Sequence, residues 1–212
     1  MEEATSQRPS DEWRELITVV LLSVTAIVTA WTGFQASKWS GSMSISFSQA
    51  SSARIEASRL DADANRRTVV QVQLFSDWLQ AYQDQDQQLA DFLEERFPEP
   101  LATAFPAWIE TQPLKNSTAP ASPFDMEEYD VPELEEAAAA DARADAKFAK
   151  ALRDNQRGDN YTALTIAFAT VLFFAALSGR MRRRRDQWIL LVIGIVEFLV
   201  LAVVLMSFPK LL

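Results

Sequence analysis

The stretches NYTALTIAFATVLFFAALSG (160–179), RMRRRR (180–185) and QWILLVIGIVEFLVLAVVLMSFP (187–209) decide how this chain is read. The first has no charge over 20 residues, and the last has one, Glu197, over 23. Between them stand five Arg in six residues. At about 1.5 Å of rise per helical residue, each apolar run is about 30 Å long, the thickness of a bilayer's hydrocarbon core. A third run, Leu16 to Ser37, is free of charge over 22 residues. The average over all 212 residues, a mean hydropathy of −0.05, conceals these three segments.

Short loops dense in Arg stay cytoplasmic, so 180–186 orients the chain. The expected order is a cytoplasmic tail (1–15), transmembrane helix one (16–38) and an extracytoplasmic segment (39–159). Transmembrane helix two (160–179), the cytoplasmic Arg loop (180–186) and transmembrane helix three (187–209) follow. The topology determinants are Arg180, Arg182, Arg183, Arg184 and Arg185, and the C-terminus is then extracytoplasmic. A cleaved signal peptide ending near Val28-Thr29-Ala30 is the competing reading. The tail is a poor basic region, carrying Glu2, Glu3, Asp11, Glu12 and Glu15 against Arg8 and Arg14, and the apolar run continues past Ala30. A retained anchor is expected.

The chain has no Cys and no His, which excludes disulfide scaffolds, thiol catalysis and His-based triads. Net charge is −9, so nucleic acid lacks a basic footprint to bind. Residues 39–158 hold 11 Lys/Arg and 21 Asp/Glu, a balance of −10. That charge keeps an exposed segment soluble, or else concentrates cations near a pore.

Within this segment Val72, Phe75, Leu79, Tyr82, Leu89 and Leu93 recur at helical steps, with Asp86 where an apolar residue is due. Seven Pro fall between 98 and 132, which predicts a loop; Phe105, Trp108, Ile109, Leu114, Phe124 and Tyr129 predict that it packs. The Ala-rich run 133–157, acidic first and basic last, predicts a strong helix. Ser40 to Ser48 alternates with period two but has no partner strand, so it is read as a continuation of helix one. The expected fold is all-α: three transmembrane helices and a long extracytoplasmic helical hairpin, with coiled-coil character and a Pro-rich tip.

Two imitations of calcium loops, at 84–95 and 61–66, fail because Leu89 and Arg66 stand where Gly is required. Glu94/Glu95 and Glu127/Glu128 would act as acid–base pairs only inside a cleft. There is no phosphate loop or nucleophile elbow, so no enzyme, metal site or cofactor is expected. Asn116-Ser117-Thr118 fits a glycosylation acceptor.

In helix one, Thr18, Leu22, Thr25, Thr29, Thr32 and Ala36 form one stripe, and Ser23, Ala26, Ala30, Gly33 and Ser37 a second. Small and hydroxylated faces suit close helix packing, within the chain or between copies, or the lining of a pore. Glu197 lies mid-span, where a carboxylate costs about 2.5–3.5 kcal/mol, so it must face protein or water. Gly194, one turn earlier, permits close approach, and Thr25 and Thr29 are expected as its hydrogen-bond donors. Either a ring of carboxylates on an oligomer axis or a bond between helices would explain it.

Three elements carry a resemblance: Thr29 to Trp39 (TAWTGFQASKW), the Pro-rich region from Phe97 to Leu114, and Asn155-Gln156-Arg157 with Asp159-Asn160-Tyr161 leading into Ala169–Ala175. On these the chain resembles a family of small three-span bacterial inner-membrane proteins of unknown function. The resemblance implies bacterial origin and this architecture, and transfers no site. Its third element implies a helix-start cap or an interface contact at the membrane surface. The combined expectation is a non-catalytic homo-oligomer in the lipid bilayer, engaging itself or an extracytoplasmic protein through the hairpin. The alternative is a cation channel lined by Glu197 and the Thr stripe.

Overall fold

The computed structural model describes residues 9–113 and 115–211. The predicted packing of Leu114 and the tail's residues 1–8 lie outside the described residues. The regular elements of the chain are all helical: α1 (Pro9–Gln83), α2 (Gln87–Glu94), α3 (Leu101–Glu110), a 3-10 turn (Pro123–Asp125), α4 (Pro132–Ser178) and α5 (Arg184–Ser207). Among the described residues there is no strand. The Ser40–Ser48 segment is helical, as read, inside α1. Three helices, α1, α4 and α5, are long and apolar enough to cross a membrane.

The chain divides into two compact units, one formed by Met1–Ser48 with Lys147–Leu212 and one by Gln49–Ala146. In the first, α1 buries Leu21, Thr25, Thr32, Gln35, Trp39 and Ser46. On α4 the buried positions in this unit are 151, 154, 158, 161, 164, 168, 171, 175 and 178, in steps of three and four. That spacing holds one face of a helix against a neighbour along its length. Leu21, Val171, Ala175 and Leu191 form an apolar cluster joining α1, α4 and α5. The outward faces are also apolar: Ile27 is 71%, Val203 69% and Met206 78% exposed. Water would penalise so large an apolar surface at roughly 25 cal/mol per Å², whereas lipid would not. Three helices of spanning length with apolar outward faces are the features that suit a chain to a lipid bilayer.

The second unit holds the aromatic core. Trp78, Ala81, Ala90, Phe97, Leu101, Phe105 and Trp108 are buried together, with Phe75, Phe124 and Tyr129 packed against them. Trp78 meets Phe105 edge-on at 4.7 Å, and Phe75 meets Trp108 at 5.3 Å. Along α1, Ala50, Ala57, Ala64, Gln71 and Trp78 are buried at a spacing of seven, with Ala81 one turn beyond, and α4 offers Ala137, Ala140 and Ala144. Arg67–Glu133 (2.7 Å) and Arg143–Glu56 (3.2 Å) pair α1 and α4 in opposite directions. Arg54 reaches both Asp141 and Asp145. These exposed ion pairs contribute little energy, but they agree on one register.

Two readings are corrected here. The stripe at 72–93 is not one helix face: Val72, Tyr82 and Leu89 are exposed, and the helix stops at Gln83. Asp86 N bonds Ala81 O at 3.0 Å and Gln85 N bonds Tyr82 O at 3.3 Å, with Gln85 in the left-handed region at φ 60°. This is a Schellman C-cap. Asp86 then caps α2 by accepting from Leu89 N at 3.1 Å, which is why a polar residue interrupts the apolar pattern. Nor is 98–132 only a loop, because α3 lies within it and tolerates Pro106. Phe105, Trp108, Phe124 and Tyr129 pack as expected, while Ile109 is exposed.

Candidate functional site

In the first unit the Thr stripe faces α4. Thr25 and Thr32 are fully buried. Thr165 Oγ1 lies 2.9 Å from Thr32 Oγ1 and 2.9 Å from its own helix's Tyr161 O, so its single proton serves one acceptor at a time. Thr18, Thr29 and Thr32 otherwise donate to carbonyls of Arg14, Thr25 and Thr29 at 2.7–2.9 Å. Thr25 Oγ1 has no partner. The second stripe behaves differently: Ser23, Ala26 and Ala30 are exposed, and a Cβ added at Gly33 would meet nothing within 4 Å. The chain does not use that face for its own packing.

Glu197 is half-buried. Its Oε1 accepts from the Thr170 hydroxyl of α4, and its Oε2 is buried without a partner. The expected donors Thr25 and Thr29 are a correction. Thr29 spends its proton on its own helix and Thr25 Oγ1 has no partner, so neither donates to Glu197. Gly194 is buried, and a Cβ there would touch Leu21, Phe174 and Val171 at 3.6–3.7 Å, ordinary contact distance. Arg180, Arg182, Arg183, Arg184 and Arg185 are all exposed at the turn between α4 and α5.

Beyond the apolar run lies a cluster that sequence reasoning missed. Asp154 is 1% exposed. It accepts from the Ser42 hydroxyl at 2.7 Å and from Lys150, and Arg157 stands 3.6 Å away. Lys150 also reaches Ser42 and Ser46 at 3.0 and 3.2 Å. Burial alone would push the Asp154 carboxyl up. The bonds from Lys150 and Ser42 and the charges of Lys150 and Arg157 outweigh it, holding the carboxyl below the usual aspartate range. Arg157 covers the Trp39 ring at 4.6 Å, and Gly158 packs on Ala36 O and the Trp39 and Ser40 side chains, 3.6–3.7 Å from where a Cβ would stand.

Next to this cluster, Gln35 holds Leu211 by both main-chain groups. Its Oε1 accepts from Leu211 N at 3.0 Å and its Nε2 donates to Leu211 O at 3.3 Å. Tyr161 donates to Pro209 O at 3.0 Å. The helix-start cap implied by Asn155–Tyr161 is corrected: these residues lie inside α4. Asn155 and Gln156 instead bond Asp159 and Asn160 one turn on. The available signal was the i, i+4 pairs Ser42/Ser46 and Lys150/Asp154, polar faces that a helix must satisfy on a neighbour.

The second unit presents a cleft of about 320 Å³ walled by Trp78, Leu79, Tyr82, Trp108, Ile109 and Pro113, with Gln112 and Lys115 at its rim. Trp78 and Tyr82 stack at 5.3 Å, and Trp108 is fixed by its Nε1 donating to Pro120 O at 2.9 Å. Asn116 is exposed, with its side chain bonded by Thr118. Among the described residues, no group of three or more His, Cys, Asp or Glu side chains comes together to hold a metal ion. No protein-family model, curated protein or solved structure matches the chain.

Proposed function

We propose that this chain is a non-catalytic, homo-oligomeric protein of the bacterial inner membrane that recruits partners through its extracytoplasmic helical hairpin. The aromatic cleft of Trp78, Tyr82 and Trp108 carries this reading. Rigid aromatic rings in a concave surface are the chemistry that anchors a partner's apolar side chains. The five-Arg loop supports a cytoplasmic turn between helices two and three, with residues 39–159 and the C-terminus outside. The uncovered Ser23-Ala26-Ala30-Gly33 face supports self-association, because small residues permit close helix contact in lipid.

The test replaces Tyr82 with Ala and Ile109 with Glu in the full chain, at the cleft mouth. Cross-linking in intact membranes then scores complexes, and circular dichroism scores helix content. Loss of cross-linked species with helicity retained is expected. If every association survives both substitutions, the recruitment reading fails. The channel alternative has support in the unpartnered Glu197 Oε2. It predicts cation flux into proteoliposomes that collapses in Glu197→Gln.

A further inference from the structure

The aromatic cleft of the second unit does not end at Tyr82. Across Leu79 and Tyr82 it opens into a further hollow of about 480 Å³, rimmed by Gln83 and Gln85. Gln85 (φ 60°) and Gln112 (φ 53°), one on each hollow, are the two non-glycine residues in the left-handed region among the described residues. Glycine would hold either helix end without that cost, but it would remove an exposed amide from the rim. A backbone kept against local preference points to a side chain in use.

Aromatic walls receive proline rings, and a polyproline II backbone has no internal hydrogen bonds, so its carbonyls need outside donors. The amides of Gln83, Gln85 and Gln112 and the Lys115 ammonium are such donors, and neither hollow is lined by a carboxylate. The chain already makes one contact of this kind, Trp108 Nε1 donating to Pro120 O at 2.9 Å. Charge narrows the occupant further. Ala102, Pro106 and Ile109 follow one another at steps of four and three along α3. Ile109 borders the aromatic cleft, while Ala102 and Pro106 border a groove holding Asp91, Glu94 and Glu95. Among the described residues the ion pair there is Arg96 with Glu95, at 3.6 Å. Residues 49–146 as a whole carry 20 Asp/Glu against 7 Lys/Arg, a field that draws a basic partner. We infer that the cleft takes an extended, proline-rich segment of a partner protein, its prolines on Tyr82 and Ile109 and its basic flank on Asp91, Glu94 and Glu95. The inference rests on recruitment through this cleft and names what is recruited.

Isothermal titration of the full chain in detergent tests it. The probes are a synthetic peptide of Pro-x-x-Pro repeats flanked by arginines, the same peptide with every Pro changed to Ala, and the same peptide flanked by glutamates. The wild type should bind the first about tenfold or more tighter than either control, because a preformed polyproline helix loses less entropy and its flank is attracted. Gln112→Glu keeps the side chain's shape but puts an acceptor where a donor is needed. It should weaken that peptide by about tenfold, with helicity by circular dichroism unchanged. Glu94→Gln with Glu95→Gln should narrow the gap between the two flanks. Equal affinity for either control, unchanged binding in Gln112→Glu, or an unmoved gap would each overturn the inference. Failure of the wild type to bind any peptide would also overturn it. If Tyr82→Ala with Ile109→Glu still abolishes cross-links in membranes, the recruitment reading stands and the cleft works through other chemistry. Cross-links that survive those substitutions sink recruitment and the inference together.

Discussion

Asp154 offers the sharpest test of the packing between α1 and α4. The carboxylate is buried, whereas its cationic partners are not: the Lys150 and Arg157 side chains are 46% and 42% exposed. The two sides of the cluster should therefore respond unequally. Asp154→Asn keeps the shape and the Ser42 contact, and the released bases turn to water. The loss is then about one charge-assisted hydrogen bond, roughly 1.5–3 kcal/mol, not the 3–5 kcal/mol of an orphaned buried charge. Lys150→Met removes the exposed partner and strands the carboxylate, so it should cost more.

The pH dependence follows in sign. The folded Asp154 carboxyl lies below its unfolded value, so its contribution is fully present above about pH 4. It is lost as pH falls through the folded value. The stability gap between wild type and Asp154→Asn should be constant from pH 7 to about pH 5 and shrink below about pH 4. In Lys150→Met the burial penalty meets less opposition, and acidification should relieve the variant. Thermal unfolding in detergent, followed by circular dichroism from pH 3 to 7, measures all three proteins. A gap under about 0.5 kcal/mol at pH 7, or one that widens on acidification, would refute the account.

Three further outcomes are expected. Gln85→Gly should stabilise the second unit by roughly 1 kcal/mol, because φ 60° costs a side chain that amount and glycine nothing; unchanged thermal unfolding would argue against the Schellman cap. Gly194→Ala should be tolerated at the 3.6–3.7 Å contacts around it, whereas Gly194→Leu should destabilise by about 1–3 kcal/mol through overpacking, as read by unfolding in detergent. Gln35→Ala removes both bonds to Leu211, so hydrogen exchange at that amide should quicken by about tenfold or more, and unaltered exchange would mean the clamp is idle.

The all-helical class and the three membrane-length segments were legible in the sequence, because charge-free runs and Pro spacing are local properties of the chain. The helical reading of Ser40–Ser48 was legible for the same reason, since no second strand existed to pair with it. The buried faces were not. Of the bulky side chains at helical steps over 72–93, Phe75, Leu79 and Leu93 pack against the aromatic core and Val72, Tyr82 and Leu89 are exposed, while small Ala57 and Ala64 are buried further back along α1. Bulk marks a core only when the partner's distance is known, and that distance is tertiary. Asp86 looked like a gap in a stripe and is a helix cap, because capping depends on where the chain turns.

Glu197 stood out along the chain as the one charge within an apolar run, but its partner Thr170 was decided by how α4 and α5 rotate about their axes. Nothing along the chain marks what Asp154, Gln35 and Tyr161 would bond to. Only the helices brought face to face bury them and supply Ser42, Lys150, Leu211 and Pro209 as partners. Composition determined the solvent each segment prefers, since transfer energy sums residue by residue. Which atoms satisfy one another depends on the rotation and register of packed helices, which no single segment encodes.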